Sequence, residues 1–464
     1  MVFSSLEFLL RFLPAVLLLY FVVPAKLRNP VLLIASMCFY AWGEPVYLAL
    51  IVASSVVNYA LGLAIDRHRN PPASKKLLVV SAIVNLSVLG FFKYADFLID
   101  SVNGLLGLGI PLLDLPLPLG ISFYTFQALS YTIDIYKDRA PVQRNLITFA
   151  AYIMLFPQLV AGPIVRYPSI ADELGHRTHA WELFAEGVHR FVLGLGKKVL
   201  IGNSIGLLWE SATTSASPSV LLRWLGIVAY ALQIYYDFSG YSDMAVGLGR
   251  MFGFHVPENF DFPYVSQSIT EFWRRWHITL GRWFRDYVYI PLGGNRVSPA
   301  KWVRNILVVW FLTGLWHGAS WNFCAWGVYF GIILMVEKLF LTKLLARLPR
   351  AVRHVYALLL ITVGWTIFGL GSVAEILIYL GDMFALNATP LHNLESLYLL
   401  RSNIVLLLIA IVGAMPLFRD LYEKVSGRGV VGSLAMPAFY VIVLLASVAY
   451  IVDASFSPFL YFRF

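Results

Sequence analysis

The sequence predicts an all-α polytopic membrane protein, and its composition and its long apolar runs support this class. Hydrophobic residues make up 59% of the 464 residues and charged residues only 13%, and the mean hydropathy is +0.73. Soluble domains carry roughly a quarter charged residues. The apolar residues also fall in repeated long runs without the polar alternation of a membrane β-barrel. Only helices satisfy all backbone hydrogen bonds inside such runs.

The length of each apolar run places the individual membrane helices. Several runs are shorter than the ~20 residues that a full crossing needs, which predicts tilted or re-entrant segments. No loop is long enough to fold as a soluble domain and no internal repeat stands out, so we expect one membrane-embedded domain over residues 1–464. The candidate runs cover residues 6–25, 30–42, 45–66, 77–98, 119–136, 145–165, 183–208, 219–236, 302–316, 321–340, 354–372, 402–418 and 436–452.

Charge places the loops between these runs. Basic residues concentrate at Lys26 and Arg28, in residues 67–76 and in residues 136–145, whereas residues 101–120 carry only one aspartate. The positive-inside rule assigns the basic loops to the cytoplasm, which puts the N-terminus on the extracytoplasmic side. Such loops also account for the net charge of +9, so we expect contact with membrane lipid and not with nucleic acid.

The segment Ser268–Arg296 is predicted to form an amphipathic helix at the bilayer surface, which the glycines and asparagine at 293–295 then break. At about 100° per residue, its aromatic side chains and one leucine share a broad face, and its arginines cluster on the opposite side. His277 falls at the edge of the aromatic face, and the simplest role for the arginines is contact with lipid phosphate. The aromatic face comprises Trp273, Trp276, Leu280, Trp283, Phe284 and Tyr287, and the basic face comprises Arg274, Arg275, Arg282 and Arg285.

Polar residues follow the apolar run that ends at residue 236. Asp237, Tyr241 and Asp243 come directly after it. Two carboxylates at the end of a membrane segment could form a metal site, a proton relay or a polar anchor. Their spacing is not specific for metal binding, and we predict no metal site.

Two further motifs lie upstream. Gly162 and Pro163 stand inside the apolar run 145–165 and predict a broken helix. His176 and His179 have the spacing of two metal ligands on one helical turn. Because they form a single pair in a polar loop, they do not predict a metal site either.

His317 lies in the stretch FLTGLWHGASWNF, directly after an apolar run. Ionisable residues inside membrane segments usually face a cavity and carry function, although a histidine bound to a backbone carbonyl is the simpler alternative. Gly314 and Gly318 flank it and would let a substrate approach the backbone. A neutral imidazole with an ordinary pKa of about 6.5 suits general base catalysis. These residues leave proton-coupled transport and membrane-embedded acyl or glycosyl transfer open.

Longer motifs resemble a known family. The stretches FWRRWHITLGRWFRDYVYIPLGGNR and LTGLWHGASWNF resemble the membrane-bound O-acyltransferase (MBOAT) family, as do LPLGISFYTFQALSYTIDIY, FPQLVAGPIVRY and QIYYDFSGYSDMAVGLGRMFGF upstream. Within the family, the chain is most similar to the bacterial alginate O-acetyltransferase (AlgI-like) subfamily. The resemblance follows the family order through a core of about residues 1–335, whereas the C-terminal helices of about 350–464 are generic apolar sequence.

The resemblance implies a fold and an activity. The fold would be a ring of transmembrane helices with re-entrant and interfacial helices around a central tunnel. The chain would be an acyltransferase of the bacterial inner membrane that takes an acetyl group from a cytosolic thioester, acetyl-CoA or a similar donor, without a bound cofactor. A periplasmic partner of the SGNH-hydrolase type would then O-acetylate an exopolysaccharide such as alginate. Acylation of a cell-wall polymer, a lipid or a protein, and polysaccharide transport without acyl chemistry, are the alternatives.

The resemblance also implies roles for individual residues. His317 matches the catalytic histidine of the family, the expected base, and His277 matches a second histidine of its bacterial members. His277 would orient the reaction or stabilise the oxyanion. The four arginines of the basic face would meet the phosphates of coenzyme A. The residues expected to line the tunnel or to support it are Trp316, Asp237, Tyr241, Asp243 and Asn322.

Overall fold

The computed structural model describes residues 1–160, 162–426 and 429–453, and every regular element in these ranges is helical. Seven stretches within them are long and apolar enough to cross a membrane. The all-α polytopic class predicted from composition is therefore confirmed. The seven stretches are Leu48–Arg67, Pro72–Leu106, Trp181–Thr214, Trp321–Leu345, Arg350–Gly369, Leu394–Gly413 and Leu434–Asp453.

The described residues divide into two compact units. The first comprises residues 1–191 and 241–257, and the second comprises residues 192–240 and those described from 258 onwards. Helix Val220–Met251 begins in the second unit and ends in the first. Parts of two predicted features lie outside the described residues, namely residues 427–428 and 454–464 of the C-terminal segment and Ala161 of the FPQLVAGPIVRY motif.

The first unit packs its helices around buried aromatic side chains. Helix Ile121–Tyr136 is 16 residues long and is buried on nearly every side. A π-helical turn at Gly90–Tyr94 joins two helices into one continuous stretch. The α-helices are Leu13–Val22, Arg28–Gly43, Leu48–Arg67, Pro71–Leu89, Ala95–Leu106, Ile121–Tyr136, Leu146–Met154, Phe156–Leu159 and Tyr167–Gly175, with shorter turns at Phe8–Phe12 and Ala25–Leu27.

The second unit has a core rich in tryptophan, tyrosine and phenylalanine. Helix Trp181–Gly196 leads into it from the first unit. Its further α-helices are Asn203–Thr214, Ile269–Arg275, Ile278–Phe284, Pro299–His317, Trp321–Val336, Thr342–Leu345, Arg350–Gly369, Val373–Met383, Leu394–Gly413, Leu417–Ser426 and Gly429–Asp453. Shorter turns lie at Lys197–Gly202, Pro263–Val265, Arg285–Tyr289 and Glu337–Leu341.

The break predicted in the run 145–165 is present, but it occurs earlier than the Gly-Pro pair. Leu155 (φ −51°, ψ 110°) separates helices Leu146–Met154 and Phe156–Leu159. Gly162 is still required, because a Cβ atom there would lie 2.7 Å from the Cα atom of Gln158.

The run that ends at residue 236 does not mark the end of its helix. Helix Val220–Met251 continues, so Asp237, Tyr241 and Asp243 lie within the helix and not beyond it. The prediction that these carboxylates stand at the end of a membrane segment is therefore wrong. Apolar run length records where hydrophobic side chains stop, whereas a helix continues wherever its polar side chains find partners inside the protein.

Candidate active site

His317 is the last residue of helix Pro299–His317 and is buried, with 4% of its surface exposed. The predicted burial of this histidine is therefore confirmed. Aromatic rings surround the imidazole edge-on, at the separations typical of aromatic pairs. The ring centroids of Trp316, Trp326 and Phe368 lie 5.0, 5.0 and 5.3 Å from that of His317.

The two glycines beside His317 permit close helix packing. A Cβ atom at Gly314 would lie 2.1 Å from the carbonyl oxygen of Phe323, and one at Gly318 would lie 2.2 Å from the Phe323 ring. Gly318 also ends the helix, because it is extended (φ −163°, ψ 153°). The expectation that these glycines admit a substrate is therefore wrong, since the following helix, Trp321–Val336, fills the space.

His277 interrupts the segment that was predicted to be one amphipathic helix. Its backbone is left-handed (φ 43°, ψ 54°), so helix Ile269–Arg275 ends before it and helix Ile278–Phe284 begins after it. This conformation costs a residue other than glycine roughly 1–3 kcal/mol and persists only where surrounding contacts impose it. The prediction of one uninterrupted helix before Gly293 is therefore wrong, because hydrophobic periodicity does not detect a break of a single turn.

The predicted division of this segment into an aromatic and a basic side is confirmed by burial. Trp273 is half-buried, and the other five residues of the aromatic face are buried. Arg274, Arg282 and Arg285 are exposed, and Arg275 is partly exposed.

The buried carboxylate of Glu337 anchors the segment that carries His277. It accepts the backbone N–H groups of Ile269 at 2.7 Å and Thr270 at 2.8 Å, at the start of helix Ile269–Arg275. A negative charge at this end of a helix satisfies unpaired N–H groups and complements the helix dipole. Glu337 directly follows helix Trp321–Val336, which packs next to the helix that ends at His317. It therefore links the segment that carries His277 to the helices around His317.

Asn259 determines which ring nitrogen of His277 carries the proton. Its Oδ1 accepts the backbone N–H of Thr279 at 3.2 Å and the Thr279 hydroxyl at 2.9 Å, which orients the amide oxygen towards the histidine. Nδ1 of His277 lies 3.1 Å from the same oxygen and must therefore donate. Nε2 is left as an acceptor, and among the described residues it is buried without a hydrogen-bond partner.

Burial keeps the His277 imidazole neutral. The residue lies outside the seven spanning stretches and is 2% exposed. Desolvation disfavours the imidazolium ion and lowers the pKa of His277 to about 3. A neutral ring with its proton on Nδ1 can accept a hydrogen bond at Nε2 but cannot donate one there.

Trp316 brings the two histidines into one site. Its ring centroid lies 5.7 Å from that of His277 and 5.0 Å from that of His317. On other sides, the ring of His277 contacts Phe238 at 4.8 Å and Phe260 at 6.5 Å. Both imidazoles therefore share an aromatic environment that excludes water, in which polar interactions are stronger than at a surface.

Asn322 supports this environment through the backbone of Phe368. Its Nδ2 donates to the carbonyl oxygens of Phe368 at 3.4 Å and Leu370 at 3.0 Å, where helix Arg350–Gly369 ends. These contacts satisfy carbonyl groups that a helix end leaves unpaired. Asn322 thus acts on His317 indirectly, by holding the phenylalanine that packs against it.

Asp237 lies in the same unit as the histidines and forms a buried ion pair with Lys198. Both side chains are 3% exposed, and Lys198 Nζ also donates to Asn203 Oδ1 at 3.0 Å. The next residue, Phe238, contacts His277, so the ion pair holds helix Val220–Met251 where it meets the site.

Tyr241 and Asp243 belong to the first unit. Asp243 accepts Nε and Nη2 of Arg190 at 2.8 and 2.7 Å on one carboxylate oxygen. Tyr241 is buried and stacks on Phe3 with ring centroids 4.6 Å apart. Tyr241 therefore packs, and Asp243 forms its ion pair, within the first unit.

The four arginines of the basic face divide into two pairs. Arg275 forms ion pairs with Asp261 and with a glutamate one turn earlier, and Arg285 pairs with the aspartate that follows it. Within the described part of the chain, Arg274 and Arg282 have no carboxylate at ion-pair distance. These two exposed guanidiniums are the members of the set available to an external anion.

Sequence reasoning missed Asn259, Glu337, Phe238 and Phe368. Glu337 carries a signal, because it is an ionisable residue inside the candidate run 321–340. Nothing local distinguishes Asn259, which precedes His277 by 18 residues. The two phenylalanines resemble the many other aromatic residues of the apolar runs.

Comparison with known proteins extends these observations. The family model for the membrane-bound O-acyltransferase (MBOAT) family matches residues 136–379. A relative from Azotobacter vinelandii named "Probable alginate O-acetylase AlgI" is 42% identical over 499 residues, covering all of both chains. A Pseudomonas aeruginosa relative of the same name is 46% identical over 79% of this chain and 72% of its own. The peptidoglycan O-acetyltransferase of Helicobacter pylori is 35% identical over 90% of this chain and 87% of its own.

Proposed function

This chain belongs to the membrane-bound O-acyltransferase family and is an acyltransferase, and we propose that it serves the O-acetylation of an exopolysaccharide related to alginate. Relatives named alginate O-acetylase that match its full length support this acceptor. The donor is a cytosolic acetyl thioester such as acetyl-CoA, used without a bound cofactor. The acetyl group crosses the bacterial inner membrane to a periplasmic SGNH-type partner. The N-terminus is extracytoplasmic, as the basic loops predict.

One observation carries the chemistry: Trp316 contacts two buried imidazoles, those of His277 and His317. In the proposed reaction, a hydroxyl of the acceptor or of a partner protein attacks the thioester. His317 removes the proton of this hydroxyl as the hydroxyl oxygen bonds to the thioester carbonyl carbon. The carbon–sulfur bond then breaks, and the same proton passes to the departing thiolate. The products are an ester and a free thiol.

For His277, the contacts support the orienting role over oxyanion stabilisation. An oxyanion needs an N–H donor, whereas the proton of this imidazole is engaged with Asn259 and Nε2 presents a lone pair. The low pKa also makes His277 a weak final acceptor of the reaction proton. We therefore assign Nε2 to a hydrogen-bond donor of the substrate, either a second sugar hydroxyl or an amide N–H of the thioester donor.

For the donor site, the exposed Arg274 and Arg282 are the best candidates to bind phosphates of coenzyme A. Arg275 and Arg285 stay in the proposed set, but their carboxylate partners compete for them. Charge reversal of Arg274 and Arg282 to Glu should raise the apparent KM for acetyl-CoA several-fold with little change in kcat. Arg296→Glu is the matched control, since Arg296 is also exposed. An unchanged KM would assign the two arginines to lipid contact.

The acyl chemistry is tested in a host that lacks its own copy of this protein. His317→Ala should abolish O-acetyl ester on the secreted polymer while secretion continues, and the exposed His392→Ala should leave both unchanged. Normal ester content with failed secretion would contradict the proposal and favour a transporter. Purified protein, supplied together with the periplasmic partner and with labelled acetyl-CoA or longer acyl thioesters, then defines the donor by thiol release.

A second acceptor is favoured by one specific observation, the similarity to a relative named peptidoglycan O-acetyltransferase over 90% of the chain. In this alternative the acetyl ester is found on the cell wall. Separate ester analysis of purified wall and of secreted polymer, in the same His317→Ala and wild-type strains, distinguishes the two acceptors.

A further inference from the structure

Two arginines of the first unit lack an acidic partner. Arg28 begins helix Arg28–Gly43, and Arg177 lies in residues 176–180, which have no regular secondary structure and contain the HRTH motif. Within the described residues, no carboxylate lies at ion-pair distance from either guanidinium. In the same unit, other arginines do form such pairs, namely Arg69, Arg139, Arg144, Arg190 and Arg250.

Both guanidiniums stand against one aromatic ring. The Cζ atoms of Arg28 and Arg177 lie 5.4 and 5.6 Å from the ring centroid of Tyr20, and Arg177 also lies 4.6 Å from that of Phe254. Tyr20 is fully buried, and its hydroxyl donates to the carbonyl oxygen of Phe252 at 2.8 Å. The two positive charges are thus held near each other by cation–π contacts.

The side chains that orient the arginines are uncharged. Arg177 Nη2 donates to Asn29 Oδ1. Because the Tyr20 hydroxyl proton is engaged with a backbone carbonyl, His179 must donate from Nε2 to the Tyr20 oxygen at 2.9 Å. Its Nδ1 is then the acceptor for Arg28 Nη1 at 3.1 Å. His179 is therefore part of an arginine cluster and not a metal ligand paired with His176 on a helix.

Glu173 acts electrostatically on Arg177 and raises its pKa, but its carboxylate is bound to another residue. Glu173 accepts the backbone N–H of His255 at 2.9 Å and contacts its ring Nδ1. Burial is the main cause that lowers the pKa of Arg177, and the charge of Arg28 lowers it further. Two positive charges close together in a partly buried environment are unfavourable unless an anion compensates them.

Both guanidiniums also hold donors that lack an acceptor. Arg28 Nε and Arg177 Nη1 are buried, and the described residues offer neither a hydrogen-bond partner. An unsatisfied buried donor costs roughly 1–3 kcal/mol, more when it is charged. A phosphate group would supply acceptor oxygens for both arginines together with the missing negative charge, and planar guanidiniums match phosphate geometry.

The cluster lies at the end of an apolar helix, beside exposed apolar side chains. Phe21 and Val22, which end helix Leu13–Val22, are 42% and 75% exposed, and Trp181 is 83% exposed. Exposed tryptophan side chains such as Trp181 mark the level of lipid headgroups. We propose that Arg28 and Arg177 form a binding site for a phosphate group, and that the headgroup of an anionic phospholipid is the ligand its surroundings favour. This site is independent of the acyl-transfer proposal.

The test measures thermal unfolding of the purified full-length chain in neutral detergent by tryptophan fluorescence. The probes, added separately, are phosphatidylglycerol, phosphatidylcholine, coenzyme A and inorganic phosphate. Phosphatidylglycerol should raise the unfolding temperature, phosphatidylcholine should not, and salt should weaken the effect. The double variant Arg28→Gln/Arg177→Gln should lose at least half of the shift. The control Arg347→Gln/Arg350→Gln removes two exposed arginines of another basic loop and should keep it.

The outcomes separate the possible sources of phosphate. A shift by coenzyme A or inorganic phosphate that depends on the two arginines, without one by phosphatidylglycerol, would establish a site for soluble phosphate and overturn the lipid assignment. An equal phosphatidylglycerol shift in the wild type and the double variant would overturn the site itself. Should the glutamine variant not fold, Arg28→Lys/Arg177→Lys retains the charges and should show a reduced shift, with bound lipid counted by native mass spectrometry.

Discussion

Replacing Asn259 tests whether the structure around His277 controls its chemistry. Asn259→Leu keeps the size of the side chain but removes an oxygen that accepts three donors, from His277 Nδ1 and from the N–H and hydroxyl of Thr279. Each buried donor left without an acceptor costs about 1–3 kcal/mol. Since the hydroxyl can rotate to another partner, two donors remain, and we expect a loss of roughly 2–6 kcal/mol in the free energy of unfolding.

The same substitution should lower the rate of acetyl transfer. Without Asn259 the imidazole of His277 is free to rotate and to move its proton to Nε2, which removes the acceptor that we assign to the substrate. The loss cannot exceed that of deleting a catalytic imidazole, about 10²–10⁴-fold. We expect kcat to fall at least about 10-fold in the folded protein, because both orientation and tautomer are lost.

Asn259→Asp separates orientation from charge. The carboxylate keeps the acceptor for all three donors but favours the imidazolium ion, which raises the pKa of His277. Activity should then fall at mildly acidic pH and recover as pH rises. The wild type should show no such loss from His277 above about pH 4, because burial holds the pKa of this group at about 3.

The assay is the initial rate of thiol release from acetyl-CoA, measured with purified protein, the periplasmic partner and de-O-acetylated polymer between about pH 5 and 8, alongside thermal unfolding. Asn58→Leu is the control, because Asn58 is also a buried asparagine with hydrogen bonds, located in the first unit. It should lower stability without changing the pH profile. Wild-type rates and an unchanged profile in both Asn259 variants would refute the assigned role.

The remaining predictions concern stability, measured by thermal unfolding in detergent. Lys198→Met should lower the free energy of unfolding by about 3–5 kcal/mol, because it removes the counter-charge of buried Asp237. Adding Asp237→Leu should restore most of this loss. If the double variant recovers no stability, the two residues do not act as a pair. Gly314→Ala should lower the free energy of unfolding by roughly 1–3 kcal/mol, because its Cβ atom would lie 2.1 Å from a carbonyl oxygen of the next helix. Gly104→Ala is the control: its Cβ atom would meet nothing within 4 Å, so it should not destabilise the protein. Between about pH 6.5 and 4, wild-type stability should fall with falling pH by up to about 1.4 kcal/mol per unit, because the unfolded chain binds a proton that folded His277 excludes. His277→Asn should remove that slope while tolerating the left-handed backbone, and an equal slope in the variant would assign the pH dependence elsewhere.

Features that depend on short stretches of chain could be predicted from the sequence. In the described part of the chain, seven of the thirteen apolar runs overlap stretches that are long and apolar enough to cross a membrane, because the number of apolar residues that spans a bilayer is set by helix rise. The burial of His317 followed from the run that precedes it. The separation of aromatic from basic residues in 268–296 survived the break at His277, because the two short helices still expose the arginines and bury the aromatic side chains.

By itself, then, the sequence determined the class of protein, the approximate positions of its helices and which histidines to suspect. The tertiary structure alone decided that His277 stands between two helices, that Asn259 holds its proton on Nδ1 and that Trp316 contacts both imidazoles. The reason is physical. Helix periodicity and hydropathy are properties of neighbouring residues, whereas tautomers, ion pairs and close glycine contacts depend on partners that only the folded chain brings together.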